Sequence, residues 1–456
     1  MKNASDKQSD LSTLPSIDAL LQEVADLELP HSMKKLHARQ LIAEKRLLVE
    51  KNKNPDLNKL GDQLHTRLLK SAHSLRKVIN GTGVVVHTNL GRSPFSKDLF
   101  SALEILNDGY VNLELDLEHG RRGNRHDHLR PWIQALTQAD DGILVNNNAA
   151  AVLLCLNTLA DKKEVVISRG QLVEIGGSFR IPEILRKAGS KLIEVGTTNR
   201  THLKDYESAI SNRTKLLLWV HSSNYKITGF TKEVSLSELV TLGKKHEIPV
   251  MADLGSGALV EISDLGLQRE PLVSEIIKAG VDLVTFSVDK LLGGPQGGII
   301  AGKSAILKKI EKNNLLRALR PDKAQILLTM QSFKAFSKGV DIPDDVPIYR
   351  DFLTEISALK SRALQIVSEV SNTKLSLDIV ETQAQVGSGA SPSETMNSIG
   401  ISIKHEGMKT NKISQRLRSN SPAIMGRINE ELFLIDLKAV REIEDGSIIQ
   451  ALNGLK

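Results

Sequence analysis

One lysine stands between a predicted buried strand and a glycine cluster, in the stretch Thr285-Phe286-Ser287-Val288-Asp289-Lys290-Leu291-Leu292-Gly293-Gly294. The apolar run 281–286 is typical of a strand buried on both faces. The glycines allow the backbone to approach a ligand closely. A lysine at this place points into a cleft, where its amine can act as a nucleophile. Lys290 is therefore our first candidate for a catalytic residue.

An aspartate at the end of another predicted strand complements this lysine. Asp253 lies in the stretch Met251-Ala252-Asp253-Leu254-Gly255-Ser256-Gly257. Ligands of open α/β sheets bind outside the carboxyl ends of the strands. A lysine that forms an imine and an aspartate that keeps a ring nitrogen protonated are the pair that pyridoxal phosphate requires, because the protonated ring accepts a carbanion's electrons. The two residues together predict a pyridoxal-phosphate site.

The phosphate of that cofactor needs an anion site, and the run 145–151 predicts one. A strand there leads into a helix that starts with small residues, which leaves backbone N–H groups and the positive end of the helix dipole for an anion. We expect Asn148, Ala149 and Ala150 to contact the cofactor, together with Ser287 before the lysine. Each feature is common alone; their order along the chain favours the cofactor.

Apolar runs alternate with helix-length segments between residues 78 and 340, which predicts an α/β domain with a mostly parallel sheet covered by helices on both faces. The predicted buried strands are 142–145, 164–167, 191–195, 215–220, 249–252 and 281–286. Helical periodicity predicts a small helical N-terminal domain, and short strands mixed with helices predict an α+β C-terminal domain. We therefore expect three domains, 1–77, 78–340 and 341–456.

Composition excludes several classes of protein. Of the 456 residues 40% are hydrophobic and 25% charged, as in ordinary globular proteins. One cysteine, Cys155, excludes an intramolecular disulfide and a cysteine zinc cluster, so we expect no metal. No apolar run approaches the ~18 residues of a membrane span, and the polar N-terminus lacks a secretory signal. We expect a cytoplasmic protein without a membrane partner.

Positive charge is concentrated near the N-terminus. Residues 34–77 contain 12 Lys and Arg against 4 acids, a surplus of +8 that exceeds the +6 of the whole chain. A basic surplus on a helical segment attracts phosphate backbones. The alternative is a solvated helical face without a partner.

Longer motifs extend along almost the whole chain. They include Ile79-Asn80-Gly81-Thr82-Gly83, His87-Thr88-Asn89-Leu90-Gly91-Arg92, Gly120-Arg121-Arg122-Gly123, Ser168-Arg169-Gly170, residues 173–182, Val195-Gly196-Thr197-Thr198-Asn199-Arg200, Arg317-Ala318-Leu319-Arg320 and Gly426-Arg427-Ile428. With the stretches around Asp253 and Lys290, this set resembles the L-seryl-tRNA(Sec) selenium transferase family, the bacterial selenocysteine synthases.

The resemblance implies the aspartate-aminotransferase fold, fold type I, with pyridoxal phosphate carried by Lys290 and its ring nitrogen paired with Asp253. The implied reaction is selenocysteine biosynthesis: seryl-tRNA(Sec) undergoes β-elimination to an aminoacrylyl intermediate, to which selenium from selenophosphate adds. A homo-oligomer is implied, which in the family is a ring-shaped decamer, and no DNA is involved. The implied substrate-binding residues, some from a neighbouring subunit, are Arg92, Arg125, Arg317, Arg320, Thr197 and Thr198.

Arg317 and Arg320 are three residues apart in a predicted helix, so their side chains can converge on one anion. That anion is either selenophosphate or the 3′ end of the tRNA. An arginine fork matches a phosphate-type anion through paired hydrogen bonds.

Three positions depart from the family pattern: Gln171 replaces an acid, Val288 a glycine and His119 an arginine. Val288 bears on the backbone, because a β-branched residue does not readily adopt a positive φ.

Two alternative functions stay open. A related pyridoxal-phosphate lyase for a free amino acid or amino sugar acid would use the same Lys290 and Asp253, but would not need a basic helical domain. A non-catalytic tRNA-binding protein would not need Lys290, Asp253 or the Asn148 anion site.

Overall fold

The computed structural model describes residues 14–51, 56–175, 179–222, 225, 227–263, 267, 269–337, 345–387 and 395–455. They form two compact units, one ending at Lys77 and the other beginning at Val78. The first unit contains helices α1 (Ile17–Glu23), α2 (His31–Glu50) and α3 (Leu60–Ala72). Its apolar core includes Leu20 and Leu64, both fully buried. The helical character predicted for this part of the chain is confirmed.

The second unit contains the remaining helices and all strands of the described residues. The helices are α4 (Lys97–Ala102), α5 (Arg130–Thr137), α6 (Asn148–Ala160), α7 (Ile181–Lys187), α8 (Leu203–Ala209), α9 (Leu236–Lys245), α10 (Val273–Lys278), α11 (Ser304–Glu311), α12 (Leu315–Leu319), α13 (Lys323–Ala335), α14 (Pro347–Leu353), α15 (Ile356–Glu369), α16 (Thr410–Arg418) and α17 (Asp445–Asn453). The strands are β1 (Val78–Gly81), β2 (Val84–Val86), β3 (Leu115–Asp116), β4 (Arg121–Arg122), β5 (Asp141–Val145), β6 (Glu164–Ser168), β7 (Glu174–Ile175), β8 (Phe179–Arg180), β9 (Lys191–Val195), β10 (Thr214–Val220), β11 (Val250–Gly255), β12 (Leu283–Ser287), β13 (Gly298–Gly302), β14 (Leu375–Gly387), β15 (Thr395–His405), β16 (Ala423–Asn429) and β17 (Leu432–Asp436).

The larger sheet has seven strands in the order β5-β13-β12-β11-β10-β6-β9. Strand β13 is antiparallel to both neighbours, and the other six strands are parallel to one another. Alternate residues of one strand enter different apolar cores: Leu217 lies in one, Leu216 and Leu218 in the other. Because the sheet apart from its edge strand β9 is buried on both faces, most of its strands are continuous apolar runs, as the sequence predicts.

The smaller sheet has six strands in the order β1-β16-β17-β15-β14-β2. Its core joins Ile401 and Ile403 of β15 to Leu359 and Ile366 of α15. The first two strands of the second unit, β1 and β2, belong to this sheet, although the sequence patterns predict residues 78–86 to be part of the large domain. Their partners lie more than three hundred residues away along the chain, at Ala423–Gly426 and Gln385–Gly387. Local patterns carry no information about such pairing.

Among the described residues, the helices are all too short or too polar to cross a membrane. The same residues contain no group of His, Cys, Asp and Glu side chains arranged to hold a metal ion.

Candidate active site

Three side chains predicted from the sequence, those of Lys290, Asp253 and Asn148, lie at the carboxyl edge of the seven-stranded sheet. Asn148 follows β5, Asp253 lies near the end of β11, and Lys290 follows β12. Strands β11 and β12 are paired so that Asp253 lies opposite Thr285. We call Lys290, Asp253, Asn148 and Thr285 the lysine site.

Asp253 is buried, and two neutral donors hold its carboxylate. The Asn148 amide donates to Oδ1 at 2.8 Å, and the Thr285 hydroxyl donates to the same oxygen at 2.9 Å. Burial raises the pKa of the Asp253 carboxyl, while the hydrogen bonds from Asn148 and Thr285 oppose that rise. The carboxylate is thus oriented, and a positive partner would stabilise its charged form.

Lys290 is 4% exposed. Burial and, to a smaller extent, the charge of Arg92 lower the pKa of its amine to about 8, although the carboxylate of Asp289 opposes them. The Ser93 hydroxyl donates to the Lys290 carbonyl oxygen at 2.5 Å, which fixes the backbone that carries the amine. A lysine with this pKa supplies neutral amine near neutral pH, as an imine-forming nucleophile requires.

Arg92 lies beside this lysine. Its Nη1 donates to Oδ2 of Asp289, the residue before Lys290, at 2.5 Å. Arg92 has a φ of 63°, so the turn after residues 88–91 is left-handed at this residue. The structure thus places Arg92 next to Lys290.

Helix α6 begins against the lysine site. The Asn147 side chain accepts from the Ala150 N–H at 2.9 Å, while the N–H groups of Asn148 and Ala149 have no partner within the helix. A Cβ at Gly298 would come within 2.3 Å of the Asn147 carbonyl oxygen, so only glycine lets β13 pass this turn. The Asn148 side chain itself points to Asp253, and its Oδ1 is buried without a partner among the described residues.

The residues present fit pyridoxal phosphate. An amine with a lowered pKa, an oriented carboxylate and the N-terminus of a helix are the groups that its aldehyde, ring nitrogen and phosphate require. Ser287, the last residue of β12, is also buried here.

Arg125, Arg317 and Arg320 line a separate cavity of about 320 Å³. Glu114 lies among them: Arg125 donates to its carboxylate at 2.9 and 2.5 Å, and Arg320 approaches to 3.9 Å. Its pKa is lowered, chiefly by the hydrogen bond from Arg125. We call Arg125, Arg317, Arg320 and Glu114 the arginine cavity.

The arginine cavity is connected to the start of α6. Arg317 lies in α12, which ends at Leu319, and Arg320 follows with an extended backbone instead of continuing the predicted helix. The Asn146 N–H donates to the Leu319 carbonyl oxygen at 2.9 Å. The main chain that carries both arginines is therefore fixed to the turn that precedes Asn148.

Thr197 and Thr198 lie elsewhere along the same edge. They follow β9, and strands β10 and β6 lie between β11 and β9 in the sheet. Three strand spacings of about 4.8 Å put β9 and β11 about 14 Å apart. The Thr197 hydroxyl donates to the Arg200 carbonyl oxygen at 3.1 Å. The structure thus does not bring these threonines to Asp253 within one chain.

Sequence reasoning missed three residues at this edge. His221 follows β10, and its Nε2 lies 3.4 Å from Oε2 of Glu270, which also accepts from the Ser256 hydroxyl at 2.9 Å. Two of them had a signal: Ser256 lies in the Asp253 motif, and His221 directly follows a predicted buried strand. Glu270 had none.

The three departures from the family pattern have local explanations. Val288 is not among the described residues with a positive φ, so a β-branched side chain fits there. Gln171 is buried and accepts from the Val220 N–H at 3.2 Å. His119 is exposed, with Nδ1 2.9 Å from Oδ2 of Asp116.

Comparison with known proteins gives a family match. The model of the SelA family, L-seryl-tRNA selenium transferase, matches residues 78–441. The chain belongs to this family. L-seryl-tRNA(Sec) selenium transferase of Carboxydothermus hydrogenoformans is 48% identical over 371 residues, covering 81% of this chain and 79% of the relative. The enzyme of the same name from Alkaliphilus oremlandii is 40% identical over 456 residues, covering 97% of this chain and 98% of the relative.

A solved structure has the same fold at low sequence identity. D-Glucosaminate-6-phosphate ammonia-lyase superposes with a TM-score of 0.61 and 19% identity, covering 84% of this chain and 97% of that chain. Family and fold confirm the predicted enzyme class: a transferase of fold type I whose cofactor is pyridoxal phosphate.

Proposed function

We propose that the chain converts L-seryl-tRNA(Sec) to L-selenocysteinyl-tRNA(Sec) with selenophosphate as the selenium donor. The observation that carries the proposal is the buried pair of Lys290 and Asp253 in a chain of the selenium transferase family. Replacing the serine hydroxyl by selenium needs a base for the α-proton and a place for the donor anion. The lysine site and the arginine cavity offer these two functions.

Lys290 is the base in this proposal. When bound, pyridoxal phosphate supplies the electron sink that makes the α-proton of serine acidic. The Lys290 amine takes that proton, since its pKa of about 8 leaves a much larger neutral fraction near neutral pH than an ordinary lysine has. Asp253 holds the positive charge of the cofactor's ring nitrogen, and Asn148 and Thr285 hold Asp253.

Arg317 and Arg320 bind the donor anion in this proposal. Arg320 is partly exposed and Arg317 exposed, so the anion can reach both from solvent. Arg125 is more deeply buried and already holds Glu114, so its part is to maintain the shape of the cavity. Arg92 has a different place, beside Lys290, where its charge favours the neutral amine.

The N-terminal unit binds the tRNA in this proposal. Seven exposed basic side chains support it, which we call the basic surface: Arg39, Arg46, Lys51, Lys59, Lys70, Arg76 and Lys77. Two of the twelve basic residues counted in the sequence are not part of the basic surface. Lys34 is buried and donates to the Ala25 carbonyl oxygen, and Arg67 is paired with Glu44. Lys53 lies outside the described residues.

The basic surface is tested by tRNA affinity. The double variant Arg39→Ala/Arg46→Ala should bind tRNA(Sec) more weakly. Its affinity should also depend less on salt, because a protein that makes fewer phosphate contacts releases fewer counterions when it binds. Lys308→Ala/Lys309→Ala, which removes two exposed charges from α11, is the matched control. Equal affinities of the two variants would identify the basic surface as a solvated helical face.

We also propose that the chain forms a homo-oligomer. Several large apolar side chains in residues 95–117 are exposed and support a subunit contact there: Phe100 at 63%, Ile105 at 66% and Leu117 at 71%. Light scattering tests this proposal, and a monomer at micromolar concentration would contradict it.

The reaction is tested in two steps. When the purified enzyme is given seryl-tRNA(Sec) alone, the seryl group should lose its hydroxyl as water. The resulting aminoacrylyl group is detected as pyruvate after hydrolysis of the ester. Selenophosphate added afterwards should give selenocysteinyl-tRNA(Sec). Turnover of free amino acids or amino sugar acids without tRNA would favour the lyase alternative, and a protein without cofactor absorbance would favour the non-catalytic one.

A further inference from the structure

We propose that His221, held by the buried carboxylate of Glu270, donates the proton with which the serine β-hydroxyl departs as water. The inference rests on the proposed function, because it assigns one step of that reaction. Hydroxide is a poor leaving group, so its departure needs an acid. Lys290 is assigned to the α-proton, and the structure offers a second proton-carrying group at the same edge.

His221 is anchored next to Asp253. Its backbone N–H donates to the Asp253 carbonyl oxygen at 2.9 Å. Its side chain is 23% exposed, whereas that of Glu270 is 1% exposed. The imidazole therefore reaches accessible space at the edge of the sheet, with the carboxylate on its buried side.

Three contacts determine the orientation of the imidazole. Nε2 lies 3.4 Å from Oε2 of Glu270, and the Ser256 hydroxyl donates to that same oxygen at 2.9 Å. The ring stacks on Trp219 with the ring centroids 5.8 Å apart and the planes at 21°. With Nε2 directed at the carboxylate, Nδ1 is the nitrogen left for a substrate. A carboxylate on one imidazole nitrogen orients the ring.

The same carboxylate also acts on the lysine site. The charge of Glu270 favours the protonated form of Lys290, and the charge of His221 favours the ionised form of Asp253. The Arg92–Asp289 pair is the further charged group beside Lys290. His221 and Glu270 therefore lie within electrostatic range of the groups that handle the α-proton.

The proposed step balances as follows. The Cα–H bond breaks, its proton goes to the Lys290 amine, and its electron pair forms the Cα–Cβ double bond. The Cβ–O bond breaks with its electron pair on oxygen, which takes the Nδ1 proton of the His221 imidazolium and leaves as water. Glu270 stays a carboxylate throughout. A substrate whose leaving group needs no proton, such as chloride, bypasses His221.

The leaving group therefore tests the proposal. His221→Gln should lower the rate of dehydration of seryl-tRNA(Sec) by about 10²-fold or more, the usual range for a general acid. With 3-chloroalanyl-tRNA(Sec), which loses chloride, the same variant should stay within a fewfold of the wild-type rate. His246→Gln is the matched control, because His246, which directly follows α9, lies 3.6 Å from Glu207 of α8 in a similar pair away from the lysine site.

Two readouts do not depend on turnover. The cofactor absorbance of His221→Gln and His221→Asn should match wild type, which shows an intact fold and lysine site. Nitrogen-15 NMR of the imidazole should show a different proton distribution between Nδ1 and Nε2 of His221 in Glu270→Gln than in the wild-type protein.

The rate of dehydration also tests the role of Glu270. Glu270→Gln should show the same dependence on the leaving group as His221→Gln, and Glu270→Asp should be faster than Glu270→Gln in the dehydration of seryl-tRNA(Sec).

The outcomes separate the two proposals. Equal rate losses with seryl and chloroalanyl substrates, or no loss with either, would overturn the role of His221 as the acid and leave Lys290 to carry both protons. If the wild-type enzyme dehydrates no seryl-tRNA(Sec) at all, the proposed function fails instead.

Discussion

The lysine site and the arginine cavity place charged groups in opposite environments. In the lysine site, Lys290 and Asp253 are each 4% exposed. Burial lowers the pKa of the Lys290 amine and raises the pKa of the Asp253 carboxyl, which favours the neutral form of each. In the arginine cavity, the side chains of Arg320 and Glu114 are 38% and 30% exposed, and the pKa of Glu114 is lowered. Burial thus favours a neutral amine in one region, whereas in the other the hydrogen bond from Arg125 keeps Glu114 ionised and Arg320 stays partly exposed to an anion.

This difference predicts two kinds of functional loss. Substitutions in the lysine site should affect chemistry and the cofactor, because no other group there provides a buried amine. Substitutions in the arginine cavity should affect the donor requirement, because several guanidinium groups share one anion.

The largest effect is expected for Lys290→Ala. Turnover should fall by at least about 10²–10⁴-fold, since the variant removes the proposed base. Borohydride reduction of the wild-type enzyme should fix the cofactor on the peptide that contains Lys290. Lys303→Ala is the control, because Lys303 pairs with Asp282 at 2.7 Å outside the lysine site. A label on Lys303 or Lys323 would contradict the assignment.

The pH dependence of cofactor capture should follow the Lys290 amine. Its pKa is lowered to about 8, so the neutral nucleophile appears at lower pH than for an ordinary lysine. Against an unperturbed pKa of about 10.4, the neutral fraction at pH 7 is more than about a hundredfold larger. The rate at which the cofactor-free protein binds pyridoxal phosphate, followed by absorbance, should rise with pH, reach its midpoint near pH 8 and level off about one pH unit above that. A midpoint near 10 would mean that burial does not neutralise this amine.

A smaller effect is expected in the arginine cavity. Arg317→Ala or Arg320→Ala should raise the selenophosphate requirement by roughly 10–100-fold, because each charge-assisted hydrogen bond contributes about 1.5–3 kcal/mol. Dehydration of seryl-tRNA(Sec) should suffer less. Arg121→Ala is the matched control: its side chain is 72% exposed and 3.4 Å from Asp116, outside the arginine cavity, and such surface pairs contribute about 0–1 kcal/mol.

The reverse pattern in those variants would reassign the cavity. Loss of dehydration with an unchanged selenophosphate requirement would mean that Arg317 and Arg320 hold the tRNA 3′ end. The arginine cavity would then belong to the tRNA substrate and not to the donor.

The two regions also differ in how far the sequence predicts them. Lys290, Asp253 and Asn148 each end or follow an apolar run, and the parallel sheet brings such ends to one edge, so their meeting was predictable. Glu114 and Glu270 lie in segments that show neither the hydrophobic periodicity of a helix or strand nor a motif. Only tertiary contacts reveal their partners. The role of the Asn148 side chain was also hidden, because an amide that begins a helix predicts an anion site, whereas here it contacts Asp253.

The fold shows the same limit. Six of the seven strands of the larger sheet were predicted, because they contain short apolar runs, whereas β13 was not predicted. The pairing of β1 with β16 was not, because it depends on residues at opposite ends of the second unit.

The smallest effect is expected for Asn148→Ala, which removes one of two donors to Asp253. Thr285 still donates, so the net loss should be about 1 kcal/mol, roughly fivefold weaker cofactor binding. Because the Asn148 hydrogen bond lowers the pKa of Asp253, the variant should protonate this carboxyl at higher pH and change the cofactor spectrum there. Asn157→Ala is the matched control, since its amide donates to the Ala188 carbonyl oxygen at 3.0 Å from the same helix. Equal changes in both variants would show that helix α6, and not the carboxylate contact, determines cofactor binding.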